Sequence, residues 1–399
     1  MRNVAARRRT RPLFAILAAS LSLFAAACGN DDSSSGDSAD SGAKPKASGA
    51  QTEAKAAVDA AKKLPEFSLD APKIDLSKVK GKTLFNIPVA STIPYVADVD
   101  KAMKKLGEDN GLKFIQYENE GNPTQWAAGF NQAIEQKVDL IVMQAGNDPR
   151  LVVPQLKRAK SAGIPVLVSH LYQNGTEPPA EVADLIAGYV TVPFWEAGRL
   201  SVDYAVAEDG CEGMSALIIN AKEVPPSQGI VDAIKKQMKK RCPDAKVAES
   251  NVPVVDWGTK IRPEVQSAIS SDPNLKWVLP IYDSMSLGAE AGIRAAGKGD
   301  GSIKIGSYNG TPAIMKLIQD GKIMAAEQGE NINWLAYANM DQAFRILGAG
   351  PVIEDGNENT PLRTFDDTNI ADAGKPPVGD KGYGTSYVEG YQALWGIGG

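Results

Sequence analysis

The chain has 399 residues, with 43 Lys and Arg against 48 Asp and Glu, a formal net charge of −5, three cysteines and one histidine, His170. An acidic balance of this kind argues against a phosphate backbone as partner, so no nucleic acid is expected. One histidine and so few thiols cannot furnish a tetrahedral zinc site, and neither metal nor cofactor is expected.

The chain opens MRNVAARRRTRPLFAILAASLSLFAAACGN: five arginines and no acid, then an apolar run over 13–27, then Cys28. That is the pattern of an export signal over 1–27. The run is shorter than the ~20 apolar residues of a membrane span. Small residues ahead of Cys28 resemble the bacterial lipobox, whose cysteine takes a diacylglyceryl group and becomes the first mature residue. Ala25 stands where leucine is usual, and plain cleavage after Ala27 is the other reading. RRRTR suits either a general or a twin-arginine export route. Loss of the five leader arginines takes the mature chain from −5 to −10.

Residues 28–80 read as a flexible tether with a short helix. DDSSSGDSADSGAKPKASGAQTE carries too little apolar surface to offset chain entropy, whereas EAKAAVDAAKKL is rich in helix formers. Beyond it, apolar runs that read as strands fall at 83–89, 113–117, 139–144, 164–169, 185–190, 214–220, 246–250, 277–281, 303–307 and 323–327. Most are solidly apolar, as in parallel strands buried on both faces. Between them lie helical periods. Val96, Val99, Met103 and Leu106 share one face, with Gly111 as a stop. After Pro123, Trp126, Phe130 and Ile134 recur every four residues, which makes Trp126 a core residue. So many elements over ~270 residues exceed one ordinary domain, and two doubly wound α/β lobes with parallel sheets are expected. Ligands of such sheets bind beyond the carboxyl ends of the strands, and His170 follows the apolar run IPVLVS.

Cys211 and Cys242 flank a strand-helix unit, MSALIIN followed by SQGIVDAIKKQMKK, that brings its two ends to one edge of a sheet. In an exported protein the pair is expected to form a disulfide, and two free thiols are the alternative.

The stretches NIPVASTIPYVADVDKAMKKLG, IPVLVSH, YDSMSLGAEAGIRAAG and IGSYNGTPAIMKLIQDGKIMAAEQ resemble the type I periplasmic binding proteins of the ribose/galactose class, from Lys82 to about Gly350. The resemblance implies two lobes joined by a three-strand hinge, 81–190 plus 329–350 and 191–328 plus 351–399, closing on a small solute. It implies a monomer that delivers a sugar-like solute to the membrane permease of an ABC importer from a lipid anchor on the outer face of the cytoplasmic membrane. A partnership with a membrane chemoreceptor is compatible with the same resemblance.

Carried over by position, it places an aromatic wall at Tyr95, another at Trp257, polar groups at Tyr282 and Asn309, and a hinge glutamine at Gln328. Rings cover the apolar face of a sugar, and amides supply donor and acceptor together. The sequence also departs from the class. Where sugar binders carry Asp-Arg after the IPV strand, this chain has Ser169-His170. Ile93 replaces an asparagine and Pro226 an arginine. His170 is therefore expected to take over the lost grip, as a neutral donor-acceptor or as a cation favouring an anionic solute. The loss of three polar grips also leaves room for a less hydroxylated, ring-containing solute.

Enzyme signatures are missing: there is no G-x-S-x-G elbow and no phosphate-binding G-x-x-x-x-G-K-[ST] loop. Asp355, Asn357, Asn359 and Asp366 echo a calcium loop, but Thr360 and Asp366 stand where glycine and glutamate are needed. A sugar-responsive DNA repressor would need a helix-turn-helix in front of the two lobes, where this chain has a signal and an acidic tether.

Overall fold

The first four apolar runs and the fifth, shifted toward its end, pair side by side. In the computed structural model, which describes residues 48–379 and 381–397, they form β1 (Thr83–Pro88), β2 (Lys113–Gln116), β3 (Leu140–Gln144), β4 (Val166–Gln173) and β5 (Gly188–Val192). Their order is β2-β1-β3-β4-β5, parallel throughout. Alternation assigns the faces. Leu84, Val142, Leu167 and Val190 point into one core, and Phe85, Ile87, Ile141, Met143 and Val168 into a second core on the other face.

The second sheet contains β6 (Ser215–Asn220), β7 (Lys246–Asn251), β8 (Trp277–Pro280), β9 (Lys304–Asn309), β10 (Met324–Glu330) and β11 (Leu362–Phe365). Its order is β11-β10-β9-β8-β6-β7, with β11 alone antiparallel. The chain passes between the sheets three times: from β5 into helix Phe194–Asp209, from β10 into helix Ile332–Phe344, and back from residue 350 to β11. Helix Ile332–Phe344 packs on helix Pro94–Asp109 of the first lobe. The fold is thus the doubly wound two-lobe α/β architecture, with the strand ends of both sheets turned to one cleft.

Three expectations need correction. The strand read as ending at Ser169 continues to Gln173. Its register with β5 breaks between Ser169 and Tyr172, so His170 sits at an irregularity inside the strand. Strand β11 was not foreseen, because LRTF is four residues of mixed polarity and carries no readable period. Nor is all of 28–80 a free tether. The signal, Cys28 and the acidic stretch to residue 47 lie outside the described residues, but from Ser48 onward the chain packs on the body. Helix Gly49–Ala61 buries Ala54 and Val58 against helix Phe194–Asp209, and Glu53 reaches Arg241 at 2.5 Å. Ile74, Leu76 and Val79 are buried as well. The hydrophobic spacing of AxxxV supplies the face that holds the helix down.

Cys211 and Cys242 are bonded, with Cα atoms 5.2 Å apart, at the start of β6 and the end of helix Ser227–Arg241. Among the described residues no helix is long and apolar enough to cross a membrane.

Candidate functional site

Five of the six residues singled out from the sequence converge. Tyr95, His170, Trp257, Tyr282 and Asn309 line one cleft between the carboxyl ends of the two sheets, with about 510 Å³ of space including its open mouth. From the first lobe come the ends of β1, β3 and β4 and the start of helix Pro94–Asp109, where Pro94 occupies the first turn and sets Tyr95 at the wall. From the second come the loops after β6, β7, β8 and β9. Gln328 is not part of the wall. It is fully buried in β10 and its Oε1 accepts from the Thr364 hydroxyl at 2.6 Å, across the pair to β11.

Each wall residue is held by its own partners. The Trp257 indole N–H donates to the Val252 carbonyl at 3.0 Å, and its ring lies 6.2 Å from that of Tyr282. The Tyr282 hydroxyl pairs with Ser227 Oγ at 3.1 Å, and burial pushes its phenol above the usual range. Asn309 closes β9 at φ 148°, a conformation an L-residue adopts only under constraint. Its side-chain amide has no hydrogen-bond partner among the described residues, which leaves it free for a solute.

Two buried carboxyls impose that constraint. Glu327 accepts from the Gly310 N–H at 2.9 Å and from Ser307 at 2.6 Å, while Asp283 accepts from the Thr311 N–H at 2.7 Å. Together they clamp the Asn309-Gly310-Thr311 turn. Gly310 is required there: its φ is +96°, and a Cβ would meet the Tyr383 hydroxyl at 3.0 Å and the Gly329 backbone at 3.1 Å. Burial raises Asp283 to about 6, and burial with the Asp283 charge raises Glu327 well above the carboxylate range.

His170 is 5% exposed and also carries a positive φ, 54°. Its Nε2 lies 2.8 Å from Glu330 Oε2, and its ring packs between Tyr95, at 5.6 Å, and Phe194, edge-on at 5.0 Å. Glu330 was missed by sequence reasoning. The signal was present in AEQGEN, a run of polar residues in a strand whose neighbours are apolar, since buried polar groups in a sheet interior need a reason. The apolar wall was partly visible: Ile93 and Pro226, the two departures from the class, both line the cleft. Val89, Val224, Val254 and Phe194 add to it and went unremarked.

Comparison with known proteins agrees with this architecture. The family model described as periplasmic binding protein domain matches residues 85–350. The D-ribose/D-allose-binding protein of Pseudomonas aeruginosa is 28% identical over 246 residues, covering 58% of this chain and 70% of that protein. Among solved structures, an ABC transporter periplasmic solute-binding protein of Actinobacillus succinogenes with bound D-allose superposes with a TM-score of 0.64 at 17% identity, over 72% of this chain and 99% of that one. A Mycobacterium smegmatis protein in complex with β-D-fucofuranose gives 0.62 at 21% identity, over 79% and 98%. With most of both sheets inside the matched span, and the cleft where the fold places it, the chain belongs to the periplasmic binding protein domain family, in its type I two-lobe form.

Proposed function

We propose that the protein is the solute receptor of an ABC importer: it captures a small, neutral, sugar-like solute between its lobes and presents the closed form to a membrane permease. It is a binding protein, not an enzyme. The observation that carries this reading is the convergence of Tyr95, His170, Trp257, Tyr282 and Asn309, from both lobes, on one cleft. Rings on two sides can sandwich a ring, while Asn309 and His170 provide the polar grips. Export by the leader and anchoring through lipid on Cys28 complete the proposal, and a Cys28→Ser change should release the protein from membranes.

A second reading, a ring with fewer hydroxyls than a hexose, is favoured by the valines, Ile93, Pro226 and Phe194 on the wall. Each hydroxyl left against them without a partner would cost binding energy. A thermal-shift screen of pentoses, hexoses, deoxysugars, polyols and aromatic ring compounds separates the two. At a hundredfold excess over the dissociation constant a ligand contributes about 2.7 kcal/mol, a readable rise in melting temperature. Stabilisation by a sugar or polyol supports the first reading, stabilisation by deoxysugars or aromatic rings alone supports the second, and stabilisation by none of them removes both.

A further inference from the structure

Glu330 ends β10, fully buried, and three groups meet its Oε2: the Tyr308 hydroxyl at 2.6 Å, His170 Nε2 at 2.8 Å and the Tyr95 hydroxyl at 3.0 Å. Burial, reinforced by the Glu330 charge, holds both phenols well above their ordinary range, so they stay protonated and donate. A carboxylate oxygen only accepts, so Nε2 must carry the imidazole hydrogen. Nδ1 makes no hydrogen bond with the described residues, and His170 lines the cleft. With Nε2–H committed to Glu330, a neutral His170 leaves Nδ1 to a solute as a lone-pair acceptor.

The charges point the same way. Among the described residues no lysine or arginine pairs with Glu330, and its Oε1 is buried without a partner. No lysine or arginine lines the cleft. A carboxylated or phosphorylated solute would enter beside a buried negative charge that no fixed cation offsets.

We propose that Glu330 is the positioning residue that sets specificity: it fixes His170 as an acceptor and selects neutral solutes bearing a hydroxyl or N–H donor over anionic ones. This deepens the sugar-like reading and rests on it. The rival is a cationic His170 holding an anion.

Because His170 is the only histidine, an isotope-labelled sample gives a single pair of imidazole nitrogen signals. At mildly alkaline pH the parent protein should show a protonated Nε2 and a bare Nδ1, and Glu330→Gln should shift population toward the Nδ1–H tautomer. His170→Gln, which removes both signals, confirms their assignment. In parallel, binding of D-glucose against D-glucuronate and D-galactose against D-galacturonate should favour the neutral partner by at least about tenfold in the parent, a preference that shrinks in Glu330→Gln. A parent spectrum with Nδ1 protonated, or a variant whose spectrum and preference both match the parent, overturns the assignment. A parent that prefers the uronates overturns it too. Should Glu330→Gln fail to fold, the parent spectrum still decides. If none of the four compounds binds, hexose capture fails while the spectra continue to test Glu330.

Discussion

A buried acid shows its environment most directly through the pH at which it loses its proton. Asp100, 5% exposed in helix Pro94–Asp109, accepts from Asn86 Nδ2 and Gln116 Nε2, both at 2.8 Å. Burial outweighs these bonds and lifts its carboxyl from 3.8 to about 7. A raised acid binds its proton more tightly folded than unfolded. Its stabilising contribution is therefore complete below pH 3.8 and disappears as pH rises through about 7. Asp283, raised to about 6, acts in the same sense. Melting temperature should thus fall between about pH 4 and pH 7, and Asp100→Asn should flatten that slope; an equally steep profile in the variant would mean that Asp100 is ionised in the native protein. At the same scale, Trp257→Ala removes a half-buried ring from the cleft and should weaken solute binding by about 2 kcal/mol or more, measured by titration calorimetry. Gln328→Ala should leave affinity nearly unchanged and cost about 1 kcal/mol of stability, since the one hydrogen bond of its side chain among the described residues is to Thr364 inside the sheet. The motifs of the class it resembles, carried over by position, brought Tyr95, Trp257 and Asn309 to the cleft on paper. They could not reveal what Glu330 does, since its role depends on which strand ends beside β4, a fact of topology and not of local sequence.

Elements were legible where a period ran long enough. The helix bearing Val96, Val99 and Met103 and the runs behind β1, β3, β6 and β8 announce themselves because one face, or both, must leave water. LRTF does not, and β11 exists only because β10 presents an unpaired edge to it. The helix at 49–61 was read as a helix but not as part of the body, since its short apolar stripe gains meaning only from the face of helix Phe194–Asp209 that it covers. The same edge holds the Cys211–Cys242 bond, beside Arg241, which pairs with Asp203 at 2.7 Å and with Glu53. A bond across 31 residues of sequence contributes about 3–4 kcal/mol by chain-entropy estimates. The paired Cys211→Ser and Cys242→Ser variant should lose stability of that order in denaturant titration while solute affinity stays unchanged, because neither sulfur approaches the cleft. Loss of affinity equal to the loss of stability would tie this edge to the site.

For the molecule as a whole, the decisive feature is that polar contacts already run between the lobes. Tyr95 and His170 stand on the first-lobe side, Tyr308 and Glu330 at the ends of second-sheet strands, and the other three meet at the Glu330 carboxylate. In the proposed closure, a solute that touches Tyr95 and Trp257 together adds to this bridge only when the lobes are close, and its binding energy then depends on closure. Shifting a two-state equilibrium from 1:99 to 99:1 requires about 5.5 kcal/mol of differential binding. A micromolar solute supplies roughly 8 kcal/mol in all. Under the proposed closure, most of its affinity would be realised in the closed form alone, with both walls taking part. Small-angle scattering in the presence of whichever ring compound the melting screen identifies should show a smaller radius of gyration than the solute-free protein. Trp257→Ala, which removes the second-lobe wall but leaves Tyr95 and His170 in place, should bind weakly and close incompletely even at saturation. Identical scattering with and without solute in the parent would mean that the cleft captures its ligand without moving, and that the permease must read something other than lobe closure.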